Sequence, residues 1–174
     1  QVSAEGRPVN AFYGYVTNGI FQTQQEVDNY AVQVVGGTAP GDIKFRDLDN
    51  NGVINADDRT FIGNPFPDWA FSLNNSFAYK NFDLQLFFQG VAGNEIYNAN
   101  RIWQESMSVP QNQTKKVLDR WTGEGTSNSI PRAVYSDPNQ NVRHSNRFIE
   151  DGSYLRLKIL TLGYSLPRSL AEKA

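Results

Sequence analysis

Hydrophobic and polar positions alternate most regularly along residues 69–91. In the first half, the odd-numbered positions are aromatic or aliphatic and the even-numbered ones are small or polar, with Asn75 as the exception. After the pair Lys80-Asn81 the even-numbered positions from Phe82 onward are apolar, and Phe87 interrupts the polar series. Such a period of two predicts β-strands, and a two-residue reversal between them predicts a hairpin.

A second alternating stretch covers residues 154–166 and changes phase partway. Leu155 and Leu157 are apolar before the change, whereas even-numbered positions such as Leu160 are apolar after it. A one-residue β-bulge near Ile159 would keep these side chains on one face. The sequence therefore predicts a third strand with a bulge, ended by Pro167.

The predicted strands are long for a soluble domain, where five or six residues are typical. About ten residues, tilted by roughly 45°, is the length that crosses a bilayer. Trp69 at one end of the hairpin and Tyr79 and Phe82 at the other fit the two aromatic girdles of a membrane barrel. We expect the odd face from Trp69 and the even face from Phe82 to meet lipid. The opposite, lumen-facing candidates are Ser72, Asn74, Ser76, Asp83 and Gln85.

The rest of the chain has weaker patterns. A strand is predicted over residues 11–22 with an interruption at 17–19, a helical turn over 24–30, and an extended piece over 42–46. Residues 112–121 form the best helix candidate, because Val117, Leu118 and Trp121 share a helical face. Residues 122–145 are rich in Gly, Ser, Asn and Pro and predict a long surface loop.

Composition supports the barrel and excludes other classes. The chain combines 13% aromatic residues with a mean hydropathy of -0.53, which is typical of strands with one lipid face and one wet face. Its 16 basic and 18 acidic residues give a net charge of -2, without the basic excess that nucleic-acid binding needs. The absence of Cys excludes disulfides and thiolate chemistry.

An acidic loop occupies residues 47–58, with the sequence DLDNNGVINADD. Its spacing is that of a calcium-binding loop, with Gly52 at the position that requires a sharp turn. The candidate Ca²⁺ ligands are Asp47, Asp49, Asn51, Val53 through its carbonyl, Asn55 and Asp58. The last ligand is Asp instead of the usual Glu, and no amphipathic helices flank the loop. A metal-free turn stabilised by Asp and Asn side chains is an equally good interpretation.

Enzyme motifs are missing from the sequence. The single histidine, His144, lies in a polar loop, and adjacent carboxylates such as Asp57-Asp58 point to opposite sides of an extended chain. We therefore expect no catalytic residues.

Several blocks resemble the C-terminal region of SusC/RagA-type TonB-dependent outer-membrane proteins. They are GYVTNGIFQ (14–22), GDIKFRDLDNNGVINADDRTFIGNP (41–65), YKNFDLQLFFQGVAGNEIYN (79–98), LDRWT (118–122), IPRA (130–133) and RFIEDGSYLRLKILTLGYSLP (147–167). They cover nearly the whole chain in the expected order. The stretch 147–167 departs from the pattern at Ile159, where a polar residue is expected.

The resemblance implies an all-β fold: residues 1–174 would be part of a 22-stranded antiparallel transmembrane barrel of the bacterial outer membrane, with long extracellular loops. The family imports oligosaccharides or peptides, with energy supplied through TonB and a SusD-like lipoprotein over the extracellular mouth. We expect the plug domain, the TonB-contacting part and the final strands to lie outside this segment. The remaining strands and plug of the same barrel, together with membrane lipid, would be its partners.

A soluble calcium-dependent carbohydrate-binding β-module is the alternative reading. Its aromatic side chains would stack on sugar rings or fill a core instead of facing lipid.

Overall fold

The computed structural model describes residues 2–167. The strands are β1 (Phe12–Gly14), β2 (Thr17–Ile20), β3 (Ile43–Phe45), β4 (Thr60–Gly63), β5 (Trp69–Tyr79), β6 (Phe82–Ala92), β7 (Glu95–Tyr97), β8 (Ile149–Asp151) and β9 (Tyr154–Tyr164). Two five-residue α-helices are present, α1 (Gln24–Asp28) and α2 (Asn100–Gln104), with short 3-10 helices at Ala56–Asp58, Lys115–Asp119 and Asn146–Phe148. No helix of the described residues is long and apolar enough to cross a membrane.

The chain divides into two compact units. The loop unit contains residues 2–65 and 96–150, and the sheet unit contains 66–95 and 151–167. Mostly short strands, turns and irregular chain make up the loop unit, whereas the three longest strands lie in the sheet unit.

In the loop unit, β1 pairs with β4 and β2 pairs with β3, both antiparallel. Its apolar core is small: Ile20, Ile43, Phe45 and Ile54 are buried together, and Trp121 packs against them. Such a core leaves many loop residues to be held by hydrogen bonds.

The sheet unit confirms the predicted hairpin. β5 and β6 pair over their full eleven residues, from Trp69 opposite Ala92 to Tyr79 opposite Phe82. Lys80, the first turn residue, has a φ of 52°. This left-handed conformation suits a tight hairpin turn. β9 pairs with the other side of β6, so the order is β5-β6-β9.

The predicted bulge is also present. Phe87 lies opposite Ile159 and Phe88 lies opposite Leu157, so Lys158 is an extra residue in β9. Beyond this extra residue, the odd and even positions of β9 exchange the faces of the sheet to which they point. As a result Leu155 and Leu157 share a face with Leu160, as the sequence required.

Two sequence predictions in the loop unit are wrong. Residues 112–121 form no α-helix; they contain only the 3-10 helix Lys115–Asp119, and Thr114 makes no side-chain cap. The next residue, Arg120, is extended, and the N–H of Trp121 bonds to the carbonyl of Ile130 instead of continuing a helix. The two α-helices of the described residues are therefore α1 and α2, and α2 was not predicted.

The strand predicted over residues 11–22 does break, but at Tyr15-Val16 instead of 17–19, which lie in β2. Tyr15 donates its N–H to the carbonyl of His144, and its own carbonyl accepts the N–H of Asn146. Pairing with this distant segment separates β1 from β2. The helical turn at 24–30, the extended piece at 42–46 and the long loop at 122–145 are confirmed as α1, β3 and chain without α-helix or strand.

Candidate functional sites

One face of the three-stranded sheet is almost continuously apolar. The register places the odd-numbered side chains of β5 beside the even-numbered ones of β6, and these beside the matching side chains of β9. Eleven large apolar side chains on this face are exposed: Trp69, Phe71, Leu73, Phe77, Tyr79, Phe82, Leu155, Leu157, Leu160, Leu162 and Tyr164. Asn75 is the polar exception that the sequence predicted.

Soluble monomers rarely expose contiguous apolar patches larger than a few hundred Å², and larger ones mark interaction surfaces. Eleven exposed large apolar side chains on one face are typical of such a surface. The apolar face is also continuous across its glycine, Gly90. Gly90 leaves room for the ring of Phe71 to lie over the backbone of β6, because a Cβ atom at this position would collide with that ring. The phenyl ring thus fills the gap that a glycine leaves in the face.

The opposite face is mainly polar. Ser72 lies opposite Gln89, and Ser76 lies opposite Gln85. Phe87 and Ile159 form one apolar pair within this face. The ammonium group of Lys158 lies 5.9 Å from the ring centre of Phe87.

Both outer strands of the sheet have an unpaired edge. Within the part of the chain that the structure describes, β5 and β9 each pair only with β6. Their outward N–H and C=O groups therefore remain available for further strands.

The acidic loop brings three of its predicted ligands together. Carboxylate oxygens of Asp47, Asp49 and Asp58 all lie within 4.8 Å of one another. Asp58 is fully buried, whereas Asp49 is exposed. None of the ion pairs among the described residues involves these three groups, so no Lys or Arg neutralises them directly.

Backbone N–H groups hold the same carboxylates in place. Asp47 accepts from Asn51 at 3.2 Å and Gly52 at 2.8 Å, and Asp58 accepts from Leu48 at 2.7 Å and Asn55 at 2.8 Å. Burial would raise the pKa of Asp47, but these and neighbouring N–H donors, Gly52 foremost, outweigh it and lower the pKa. The group is therefore held as a carboxylate.

The other predicted ligands have local roles. Asn51 accepts the N–H of Val53 through its side-chain oxygen, and the side-chain oxygen of Asn55 caps the 3-10 helix by accepting from Asp57. Gly52 has a φ of +82°, which permits the sharp turn. Each carboxylate oxygen keeps a second lone pair, so three hard oxygen donors at close range fit a Ca²⁺ ion. The metal-free turn fits these observations equally well, because the side chains of the loop themselves form its hydrogen bonds.

A buried polar network joins distant segments of the loop unit, and no spacing in the sequence predicts it. Asp42 is fully buried and receives two hydrogen bonds from the guanidinium of Arg132, at 2.9 and 3.0 Å. It also accepts from the N–H of Ala39 and the amide of Asn141. The oxygen of Asn141 in turn accepts the N–H of Ile43 at 2.7 Å.

A second buried carboxylate, Glu105, is surrounded by cations. Arg101 donates to it at 2.9 and 3.1 Å, Arg147 at 3.3 Å, and the ammonium of Lys116 lies 3.8 Å away. Burial would raise the pKa of Glu105, but the hydrogen bonds and positive charge of Arg101, with Arg147 and Lys116, lower it. Both networks join segments far apart in sequence, and their only sequence signals are the GD and IPRA blocks around Asp42 and Arg132.

The single histidine, His144, is exposed, as expected for a residue of a polar loop, and it has one aromatic neighbour. His144 Nδ1 lies 2.6 Å from the hydroxyl of Tyr97, and the two rings contact each other. Burial raises the pKa of Tyr97. No carboxylate is recorded as a partner of this pair among the described residues.

Comparison with known proteins now adds an independent observation. No family model matches the chain. It is 38% identical over 173 residues to TonB-dependent receptor P3 of Formosa agariphila, covering 99% of this chain and 17% of that protein. Receptor P26 of the same bacterium is 35% identical over 165 residues, 93% of this chain and 16% of its own length. The receptor SusC of Bacteroides thetaiotaomicron is 28% identical over 153 residues, 87% of this chain and 14% of its own length.

Among solved structures, the RagAB peptide transporter has the same fold over this region. The match has a TM-score of 0.70 at 24% sequence identity, and it covers 95% of this chain and 17% of that chain.

The fold is thus similar to that of one segment of the RagAB peptide transporter. The homologues of this chain are TonB-dependent receptors, SusC among them, and the resemblance to the SusC/RagA type is confirmed. The chain spans about a sixth of the length of the curated relatives it matches.

Proposed function

We propose that the chain forms part of the barrel wall and extracellular loops of a TonB-dependent outer-membrane importer of oligosaccharides or peptides. The apolar face, continuous across three register-matched strands, carries this proposal. Eleven residues at about 3.3 Å each extend about 36 Å. At a tilt of roughly 45° that length spans about 26 Å, close to the apolar band of about 25 Å in an outer-membrane barrel.

The unpaired edges of β5 and β9 support a larger barrel. In lipid every backbone polar group must be satisfied, so further strands have to pair with both edges. We propose that they belong to the same 22-stranded barrel as in the family, around a plug that contacts TonB. By analogy with SusC and RagAB, a SusD-like lipoprotein would cover its extracellular mouth.

The orientation of the barrel can be tested with two epitope insertions in the full-length receptor. Short turns face the periplasm in such barrels and long loops face outward. An epitope at Val35, which is 91% exposed in the loop unit, should bind antibody on intact cells. An epitope at Lys80-Asn81 should bind only after the outer membrane is permeabilised. Equal labelling of both sites on intact cells would contradict the proposal.

Import itself is tested by uptake in cells. Deletion of the receptor gene should reduce the uptake of one oligosaccharide or peptide class, and disruption of TonB should have the same effect. A receptor-dependent uptake that persists without TonB would show passive diffusion instead. No enzymatic activity forms part of the proposal, and the relatives are receptors. The relatives favour this proposal over the soluble carbohydrate-binding module.

We also propose that the acidic loop binds one structural Ca²⁺ through Asp47, Asp49 and Asp58, with Asn51, Val53 and Asn55 as the remaining candidate ligands. The support is the convergence of three carboxylates without a neutralising cation. The ion would fix the loop and take no part in chemistry.

The substitution Asp49→Asn tests the metal with little disturbance, since Asp49 is exposed and its carboxylate accepts from the backbone N–H and the side-chain amide of the neighbouring Asn51. In the full-length receptor, terbium luminescence titrated with Ca²⁺ should show at least a tenfold loss of affinity. Asp28→Asn, in exposed helix α1, is the matched control. If chelation leaves proteolysis at residues 47–58 unchanged in the parent receptor, the loop is a metal-free turn.

A further inference from the structure

The chain contains two Asn-Gly pairs, Asn18-Gly19 and Asn51-Gly52, which lie in different surroundings. An Asn before a Gly can cyclise, because no side chain on the next residue obstructs attack of its backbone nitrogen on the Asn side-chain carbon. Asn51 and Gly52 are both exposed, in a bend of the acidic loop. A Cβ atom on Gly52 would meet no atom within 4 Å. The second pair is therefore open to the reaction and to the water that completes it.

Hydrogen bonds at Asn51 contact the groups that would react. The backbone N–H of Gly52, which is the nucleophile, donates to the Asp47 carboxylate at 2.8 Å. A base within about 2.6–3.2 Å of a proton is placed to accept it. The Asn51 side-chain oxygen accepts the N–H of Val53 at 2.8 Å. This donor would stabilise the negative charge that develops on that oxygen during the attack.

The side chain of Asn51 is also held in a suitable conformation. Its bond to the N–H two residues on is an Asx turn, which keeps the side chain folded back along the following peptide. The amide nitrogen Nδ2, which is the leaving group, donates to the Asp49 carboxylate at 2.8 Å. The nucleophile, the developing oxyanion and the leaving group thus each have a partner in the loop.

We propose that Asn51-Gly52 is a site of spontaneous covalent modification, at which Asn51 cyclises to a succinimide and then becomes aspartate or isoaspartate. The Gly52 nitrogen bonds to the side-chain carbon of Asn51, and its proton passes to Asp47. The bond from that carbon to Nδ2 breaks, and Nδ2 leaves as ammonia with a proton that Asp47 returns through solvent. Water then opens the ring at either carbonyl, which leaves a new carboxylate in the acidic loop.

The other pair, Asn18-Gly19, is an internal control. It lies in strand β2, which pairs with β3. The N–H two residues on, that of Ile20, bonds to the side-chain oxygen of Asn128 at 3.0 Å, so the Asx turn found at Asn51 does not form here. Local opening of β2 must precede cyclisation at Asn18, and we therefore expect Asn51 to react at least about tenfold faster.

Peptide mass mapping of the full-length receptor in detergent, incubated at neutral pH with a chelator, tests the proposal. The chelator keeps metal ions from occupying Asp47. Trypsin releases residues 47–59, and electron-transfer fragmentation separates aspartate from isoaspartate at position 51. Both products should accumulate there, at least about tenfold faster than at position 18. Persistence of the amide, equal rates at the two positions, or formation of aspartate alone by direct hydrolysis would overturn the proposal.

Asp47→Asn tests the proton acceptor. The variant keeps the size of the side chain and an oxygen that accepts the Gly52 N–H, but it removes the base, so cyclisation should slow by about tenfold or more. Asp28→Asn, in exposed helix α1, is the matched control and should leave the rate unchanged. Equal rates in the two variants would refute the role of Asp47.

Asn51→Gln tests the position of the reaction in a way that does not depend on the stability of the loop. Attack on the longer side chain would have to close a larger ring, so isoaspartate should no longer form in the peptide 47–59. Isoaspartate that persists in this peptide would come from Asn50 or Asn55 and would refute the assignment to Asn51.

Discussion

Replacement of Asp42 by Asn should open the loop unit locally without changing its shape. The side chain keeps its size, but it loses its charge and presents an NH₂ group toward the guanidinium of Arg132. One of the two hydrogen bonds at 2.9 and 3.0 Å must then be lost, and Arg132 remains partly buried without its counter-ion.

The magnitude follows from the burial of the pair. Breaking a buried ion pair from one side typically costs about 3–5 kcal/mol. Because the Arg132 side chain is 25% exposed, water can solvate it in part, and we take the lower end, about 3 kcal/mol. At 1.4 kcal/mol per factor of ten, local opening should become roughly a hundredfold more frequent.

Amide hydrogen exchange of the full-length receptor measures this opening directly. The reporters are the N–H of Ile43, bonded to Asn141, and the N–H of Arg132, bonded to the carbonyl of Gly41. Asp28→Asn, on the exposed surface of α1, should change protection by less than about 0.5 kcal/mol. If Asp42→Asn changes protection no more than this control, the buried pair does not anchor the loop unit.

Three further predictions concern the sheet and the second carboxylate. Leu73→Arg should place a charge in lipid at about 2–4 kcal/mol and lower the yield of heat-modifiable folded receptor in outer membranes, whereas Ser72→Arg on the opposite face should not. Deletion of Lys158 should turn Leu155 and Leu157 to the polar face and prevent assembly by the same assay, whereas Lys158→Ala keeps the bulge and should assemble. Because the pKa of Glu105 is lowered in the folded state, its stabilisation is present above its unfolded pKa of about 4.3 and is lost as the pH falls below that value. Proteolysis of the loop unit at residues 100–120 should therefore accelerate below about pH 4.3, and Glu105→Gln should abolish that dependence.

The sheet was predictable because its information is local and repeated. The alternation of β5 and β6 fixes which side chains share a face, and the two-residue turn fixes their register. Even the bulge at Lys158 follows from the phase change alone, since the apolar positions can share a face only if one residue is skipped. The expectation of a wider barrel rests on the resemblance alone, because three strands cannot reveal how many others exist.

The loop unit was less predictable because its order comes from single residues far apart. The helical period at residues 112–121 was overridden by the bond from Trp121 to Ile130, a case of tertiary contacts prevailing over propensity. Asp42 and Arg132 are 90 positions apart, and Glu105 and Arg147 are 42 apart. No period or spacing in the sequence links such pairs.

The polar interior of the loop unit has a consequence for its specificity. Only four residues form its main apolar cluster, and apolar contacts tolerate many arrangements of similar volume. The Asn139 amide, in contrast, must donate to both the carbonyl of Ile43 and the oxygen of Asn141, while its own oxygen accepts from Gln33 and Thr38. A shift of either segment by one residue would leave several of these buried groups unpaired, at about 1–3 kcal/mol each. The network therefore favours one path of residues 33–45 and 137–142. Hydrogen bonds between buried polar groups fix the register of these loops, whereas the alternation of apolar and polar residues fixes the register of the sheet.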